Sequence, residues 1–377
     1  MRKIDVIRRL VELWEKTPKH WEGKILGSMT TSPEPIAVYA YTLFIHTNYA
    51  DPVIFETVYE MGREVISEVS QLFMGPGAGL FTSGGTESNI LAIFMAKRLY
   101  GKSHKNVVLA PDTAHVSIEK ACKLINCRLV RISAGNKPVE PSIVAEYIDT
   151  YDPFAVVITA GTTERGLVDP VRVIGEIVSE KNTWLHVDAA YGGLIIPFLY
   201  KKGIINTDLK FYKGVTSISV DFHKNGMSPI PSSILLLNDK NLEEYACFDV
   251  TYTLSGKTCG LLGTRPGGAV AATWAVWKFM GIEGYEKKAL EMHGNAVYLA
   301  EKLKTIPDLF VYDPILPIVV FKHKEIPYED LVEIMLYRGY YLYKAPSLSA
   351  ARIVVMPHVD KRSIDRFVEE LKTVLGK

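Results

Sequence analysis

The chain has 377 residues, 48% of them hydrophobic and 23% charged, and its 43 Lys+Arg against 42 Asp+Glu leave a formal charge of +1. This composition excludes a disordered chain, and the even balance supplies no field for nucleic acid or an anionic membrane. No apolar run reaches the ~20 residues of a bilayer span, and Met1-Arg2-Lys3-Ile4-Asp5 lacks a signal-peptide core, so a cytoplasmic protein with a small-molecule partner is expected.

At roughly 150 residues per domain, the length suggests about two folding units. We divide the chain into an N-terminal segment over 1–50, a large domain over 51–284 and a small C-terminal domain over 285–377. From Asp51 to Asn238, short β-branched runs alternate with helical stretches, the pattern of a parallel sheet covered on both faces. Strands are expected at Val107 to Ala110, Leu129 to Ile132, Ala155 to Thr159, Trp184 to Val187, Ser217 to Val220 and Ile234 to Leu237. After Gly263 a long helical stretch runs through Ala271, Trp274 and Phe279, and resumes from Tyr285 to Leu303 as a bridge between domains. Strands near Ile318 to Phe321 and Arg352 to Met356, with helices near Tyr328 to Tyr337 and Lys361 to Leu375, predict a smaller α+β unit. Cys122, Cys127, Cys247 and Cys259 form no C-x-x-C pair, and reduced structural thiols are expected. No H-E-x-x-H pattern occurs, which leaves a protein-bound metal without support.

Three runs carry chemistry. Thr82-Ser83-Gly84-Gly85-Thr86-Glu87-Ser88-Asn89 precedes an apolar helical stretch, so the free N–H groups of Gly84, Gly85 and Thr86 can cradle a phosphate; the plainer reading is a capped turn. The nearby glycines form neither a P-loop nor a dinucleotide fingerprint. In His186-Val187-Asp188-Ala189-Ala190-Tyr191-Gly192-Gly193, Asp188 ends an apolar strand, where ligands of open α/β sheets bind, although such an acid also caps turns. In Asp221-Phe222-His223-Lys224-Asn225-Gly226, a strand-end lysine can be made nucleophilic by burial and neighbouring cations, although an exposed loop lysine is the commoner fate of any single Lys. A phosphate nest, a carboxylate and an amine together meet the needs of pyridoxal phosphate (PLP): an anion site, a partner for the pyridine nitrogen, and a lysine to carry the aldehyde as a Schiff base.

At these runs, and at Gly27-Ser28-Met29, Ala114-His115, Ala160-Gly161-Thr162-Thr163, Gly263-Thr264-Arg265 and Arg352-Ile353-Val354-Val355-Met356-Pro357-His358, the chain resembles the group II PLP-dependent decarboxylases, in particular the archaeal L-tyrosine/L-aspartate decarboxylases. The resemblance covers nearly the whole chain. It implies an α/β, fold-type I (aspartate aminotransferase-like) architecture: a large domain with a mostly parallel seven-stranded sheet, a small C-terminal α+β domain, and a homodimer. It further implies that His115 stacks on the pyridine ring, Ala190 packs on the other face and Thr162 lies near the ring substituents. His223 with Gly84 to Thr86 would hold the phosphate, Gly263 and Thr264 would come from the neighbouring subunit, and Arg352 with Ser28 would meet the substrate. Tyr252, in a stretch resembling the mobile loop of these enzymes, is the candidate proton donor, with Lys224 and His115 as alternatives.

The expected reaction is α-decarboxylation of an L-amino acid. L-Aspartate, giving β-alanine, is favoured over L-glutamate and L-tyrosine; Arg165 would add a cation near the site, although an exposed loop arginine is the plainer reading. Gly214-Val215-Thr216-Ser217 and Arg265-Pro266-Gly267-Gly268 also resemble sphingosine-phosphate lyase, but Ser228-Pro229-Ile230-Pro231-Ser232 lacks the second lysine of that family. Phe222 and Asn225 depart from the decarboxylase pattern, usually Pro and Met, which keeps a catalytically inert homolog as the remaining alternative.

Overall fold

The computed structural model describes residues 1–376. Eleven α-helices are present among them: α1 Lys3–Lys16, α2 Pro35–Leu43, α3 Glu56–Gln71, α4 Gly85–Tyr100, α5 Ser117–Ile125, α6 Pro141–Tyr151, α7 Val171–Val178, α8 Ile196–Lys201, α9 Gly267–Lys304, α10 Tyr328–Tyr337 and α11 Lys361–Val374. The large sheet comprises β1 Ala78–Thr82, β2 Val107–Pro111, β3 Arg128–Ile132, β4 Ala155–Thr159, β5 Trp184–Asp188, β6 Val215–Asp221 and β7 Ser233–Leu237, in the order β1-β7-β6-β5-β4-β2-β3. The pairs from β3 to β6 are parallel, and β7 runs antiparallel to both its neighbours. Every residue of β1, β4, β5, β6 and β7 is buried, because helices cover both faces of the sheet. The edge strand β3 instead exposes Arg128 and Arg131, which discourages further strand pairing. β1 is absent from the sequence expectation: Ala78-Gly79-Leu80-Phe81-Thr82 is short and glycine-flanked, and only its antiparallel pairing with β7 makes it a strand.

β2 leads outward to β3 while its neighbour β4 leads the other way to β5, so a crevice opens at the carboxyl ends of these central strands. In register, Thr159 lies beside Asp188 and Asp188 beside Ser219, which aligns the ends of β4, β5 and β6 at that crevice.

The expected bridging helix is α9, interrupted at Gly281, whose φ of +57° suits glycine. Val270, Ala272, Val276, Trp277, Tyr285, Ala289 and Met292 pack in the core beneath the large sheet. From Ala296 onward the helix packs with the second core, formed with α10, α11 and the antiparallel sheet β10 Leu309–Tyr312, β11 Ile318–His323, β12 Tyr343–Ala345 and β13 Ala350–Val354. The N-terminal segment divides between these bodies. Gly27 N–H donates to the Tyr341 carbonyl at 2.7 Å and Leu26 joins the second core, whereas Ala37 and Ala40 of α2 are buried, Ala40 against Ala271 and Ala275 of α9. No helix among the described residues is long and apolar enough to cross a membrane.

One expectation is overturned. Cys247 and Cys259 form a disulfide, and only Cys122 and Cys127 are free. Their spacing gave no signal, but β8 Cys247–Asp249 and β9 Lys257–Cys259 fold into an antiparallel hairpin that sets the two cysteines directly opposite. The bond closes a loop of sequence separation 12, worth about 3 kcal/mol in the chain-entropy description. Replacing both cysteines by serine is expected to lower stability by up to that amount, read as a lower denaturant midpoint.

Candidate active site

A cavity of about 350 Å³ opens at the crevice, with Gly84, His115, Asp188, Ala190, His223 and Lys224 in its wall. The start of α4, directly after β1, supplies backbone N–H groups with no intrahelical acceptor. A Cβ at Gly85 would stand 2.9 Å from the Ala190 Cβ, and one at Gly84 would stand 3.1 Å from the His223 ring, so bare backbone forms this wall. Lys224 follows β6, as the strand-end argument requires, but its neighbour differs from expectation. Instead of a cation, the buried carboxylate of Asp221 lies 3.0 Å from its Nζ and 3.4 Å from His223 Nε2. Burial alone would raise the Asp221 pKa, but the Lys224 ammonium and His223 outweigh it and hold the carboxyl well below the usual range. Sequence reasoning missed Asp221 as a site residue, because an acid three positions from a lysine reads as an ordinary ion pair. His223 Nδ1 accepts from Ser232 N–H at 3.3 Å, which leaves its Nε2 for Asp221.

Asp188 accepts from Asn89 Nδ2 at 2.8 Å, the Ala190 N–H at 3.1 Å and Ser219 Oγ at 3.3 Å. Hydrogen bonds to a carboxylate are among the stronger ones, so three donors from separate elements fix this group in place. His115, in the turn between β2 and α5, meets Ser117 Oγ through Nδ1 at 2.9 Å. Burial, partly opposed by Asp188, pushes its pKa below the usual histidine value, so the ring is neutral near pH 7.

The remaining expected residues fall into two groups. Thr162 is buried just behind the cavity, where its Oγ1 accepts from Leu167 N–H at 2.9 Å, and its neighbours Gly161 and Thr163 face the space instead. Asp169 braces the same region by accepting from the N–H groups of Thr159 and Val139; burial pushes its carboxyl up to about 6. Arg352 lies outside the cavity wall. It is 3% exposed and donates to the carbonyls of Thr163 and of Gly27, the latter at 3.0 Å, while its Nε has no partner. Ser28 turns its hydroxyl to Thr30 at 2.8 Å, and Met29 reaches the cavity in its place.

Tyr252, Gly263 and Thr264 are not brought to this cavity. Tyr252 is 84% exposed in the hairpin loop, and Gly263 and Thr264 are exposed ahead of α9. Their separation from Lys224 follows from the hairpin and loop projecting outward, which no local pattern reveals. An adjoining pocket of about 540 Å³ shares His115 and Thr163 with the cavity and includes Arg165, whose guanidinium lies 4.8 Å from the Tyr312 ring centroid.

A family model described as the pyridoxal-dependent decarboxylase conserved domain matches residues 42–324. The probable L-tyrosine/L-aspartate decarboxylase of Methanosphaera stadtmanae is 35% identical, with 100% of this chain and 98% of that protein covered. The L-tyrosine/L-aspartate decarboxylase of Methanocaldococcus jannaschii is 33% identical over 94% of this chain and 93% of that protein. Among solved structures, sphingosine-1-phosphate lyase from Burkholderia pseudomallei superposes with a TM-score of 0.88 at 25% identity, covering 100% of this chain and 91% of that one. Glutamate decarboxylase from Lactobacillus brevis shares the fold at a TM-score of 0.87 and 20% identity, with 100% and 93% covered.

Proposed function

This chain belongs to the pyridoxal-dependent decarboxylase family, whose carboxy-lyases act on amino acids with PLP, and on that premise we propose that it decarboxylates L-aspartate to β-alanine, with L-glutamate and L-tyrosine the next candidates. The carrying observation is that one cavity unites a bare helix N-terminus, a multiply hydrogen-bonded carboxylate and a single lysine amine. These residues fit PLP. The N–H groups of Gly84, Gly85 and Thr86 would hold its phosphate, with His223 beside them. Asp188 would keep a proton on the ring nitrogen, Lys224 would supply the amine for the aldehyde, His115 and Ala190 would cover the ring, and Thr162 would stand behind its edge.

When bound, PLP supplies the electron sink for the breaking Cα–carboxylate bond. The chain's own task is orientation, since that bond must stand perpendicular to the ring. Arg352, buried behind Thr163 and Gly27 with no carboxylate partner and a free Nε–H, would bind a substrate carboxylate once those carbonyls release it, with Ser28 near its Gly27 anchor. Arg165 in the adjoining pocket offers a cation for a second carboxylate, which supports aspartate over tyrosine. Arg352→Gln is expected to raise KM for the amino acid roughly 10- to 100-fold, the worth of a charge-assisted hydrogen bond, while PLP affinity measured by fluorescence titration stays unchanged.

The chain forms a homodimer in this reading. α1 buries no residue and exposes Ile7, Leu10, Val11 and Trp14, and α2 exposes Tyr39 and Leu43, apolar surface that a second copy would cover. The same pairing would carry Tyr252, Gly263 and Thr264 to the partner's cavity, with Tyr252 delivering the proton to the substrate carbon.

The deciding experiment supplies purified protein and PLP with a panel of L-amino acids and measures CO2 and the amine formed. β-Alanine from aspartate supports the proposal. Preferential turnover of tyrosine or glutamate overturns the substrate assignment. Cleavage of a phosphorylated long-chain base without CO2 release would instead favour the lyase chemistry named for the Burkholderia pseudomallei structure. No product from any of them would mark an inert homolog.

A further inference from the structure

Trp184, His186 and Asp188 alternate along β5 and therefore share one face of the sheet, as do Ser217 and Ser219 on β6, paired with His186 and Asp188. α4 lies over that face and places the buried Asn89 among them. The donors and acceptors can be assigned one by one. A carboxylate only accepts, so Asn89 must turn its NH2 to Asp188, at 2.8 Å; the other NH2 proton meets Ser117 Oγ, also at 2.8 Å. Asn89 Oδ1 then faces His186 Nε2 at 2.8 Å, which requires the proton of His186 on Nε2. Burial pushes the His186 pKa down to about 4, so this ring is neutral and its Nδ1 accepts from Ser217 Oγ at 2.8 Å. Ser217 in turn accepts from Trp184 Nε1 at 2.7 Å. At the other end, the Ser117 hydroxyl already accepts from Asn89 and gives its own proton to His115 Nδ1 at 2.9 Å. The Ser117 backbone N–H points to the same nitrogen at 3.2 Å. Two donors on His115 Nδ1 leave its proton on Nε2, which has no hydrogen-bond partner among the described residues.

We propose that Asn89 is a positioning residue: it joins Asp188 and His115 in one directional chain of hydrogen bonds, running from Trp184 through Ser217 and His186, and so fixes His115 as the tautomer protonated on Nε2. His115 therefore offers an N–H to whatever occupies the cavity and cannot act as a base through that nitrogen. The consequence for turnover rests on the function proposed above; the tautomer does not.

The test uses apoprotein labelled with 15N-histidine, the His115 resonances being assigned by their loss in His115→Phe. A pyridine-type Nδ1 and a pyrrole-type Nε2 are expected in the unmodified protein. Asn89→Leu should move the signals of both His115 and His186, whereas Ser117→Ala should move those of His115 and leave His186 in place. In the holoenzyme, Asn89→Leu is expected to lower kcat about 10- to 100-fold, the usual effect of removing a hydrogen-bond partner behind a working residue, with KM nearly unchanged. A pyrrole-type Nδ1 on His115, or histidine signals indifferent to Asn89→Leu in a folded protein, overturns the inference. If Asn89→Leu does not fold, Ser117→Ala decides it by the same His115 signals. A chain that releases no CO2 from any amino acid, yet shows the expected spectra, contradicts only the proposed function.

Discussion

Lys224→Ala is expected to reduce decarboxylation on the order of 10⁴-fold, because no other described residue of the cavity wall carries an amine. Nζ of Lys224 is held 3.0 Å from the Asp221 carboxylate in the wall that Asp188 and the start of α4 also line, and a free amine from solvent would not be held in that orientation. The backbone N–H groups of Gly84 to Thr86 are untouched by the substitution, so PLP should still bind, more weakly and without a covalent link. Borohydride reduction followed by peptide mapping reads the same prediction without turnover: the unmodified protein should be labelled at Lys224, and the variant not at all. A label on another lysine would displace Lys224 from its role.

Asp188→Asn is expected to lower kcat roughly 10²- to 10³-fold, as removal of a preorganised electrostatic partner does in other active sites. A neutral amide cannot hold a proton on the ring nitrogen, and the donor array built by Asn89, Ser219 and the Ala190 N–H would address only one oxygen instead of two. Asp188→Glu restores the charge but moves it by one methylene, so partial recovery of kcat is expected. Steady-state kinetics with matched PLP occupancy separates this from cofactor loss. An unchanged kcat in the Asp188→Asn enzyme would remove Asp188 from the mechanism.

How far the site could be read from sequence follows from how each residue acts. Lys224, Asp188 and the run Gly84 to Thr86 were legible because each sits at a strand or helix end, and apolar runs flanked by small residues mark those ends. His115, Ala190 and His223 became legible through the family resemblance, and the structure places all three in the cavity wall. Asp221 escaped notice because its partner is Lys224 itself, and nothing local distinguishes a buried ion pair from a surface one. The resemblance sets Arg352 on the substrate side, yet in the structure it stands behind Thr163 and Gly27, outside the cavity wall, a placement that only the docking of the small sheet against the N-terminal segment sets. The disulfide was invisible for the same reason, since opposition across β8 and β9 depends on hairpin register.

The amino-acid sequence by itself determined the alternation of strand and helix, the strand-end lysine and carboxylate, and the glycine backbone at the start of α4. These are local, set by hydrophobic period and by residues that end an element. The tertiary structure alone decided which groups touch: Asp221 on Lys224, Asn89 between Asp188 and Ser117, and Cys247 on Cys259, with Tyr252 outside the cavity. Each of those contacts joins separate elements or depends on how a hairpin closes, so it is fixed by packing and register that no short stretch of chain encodes.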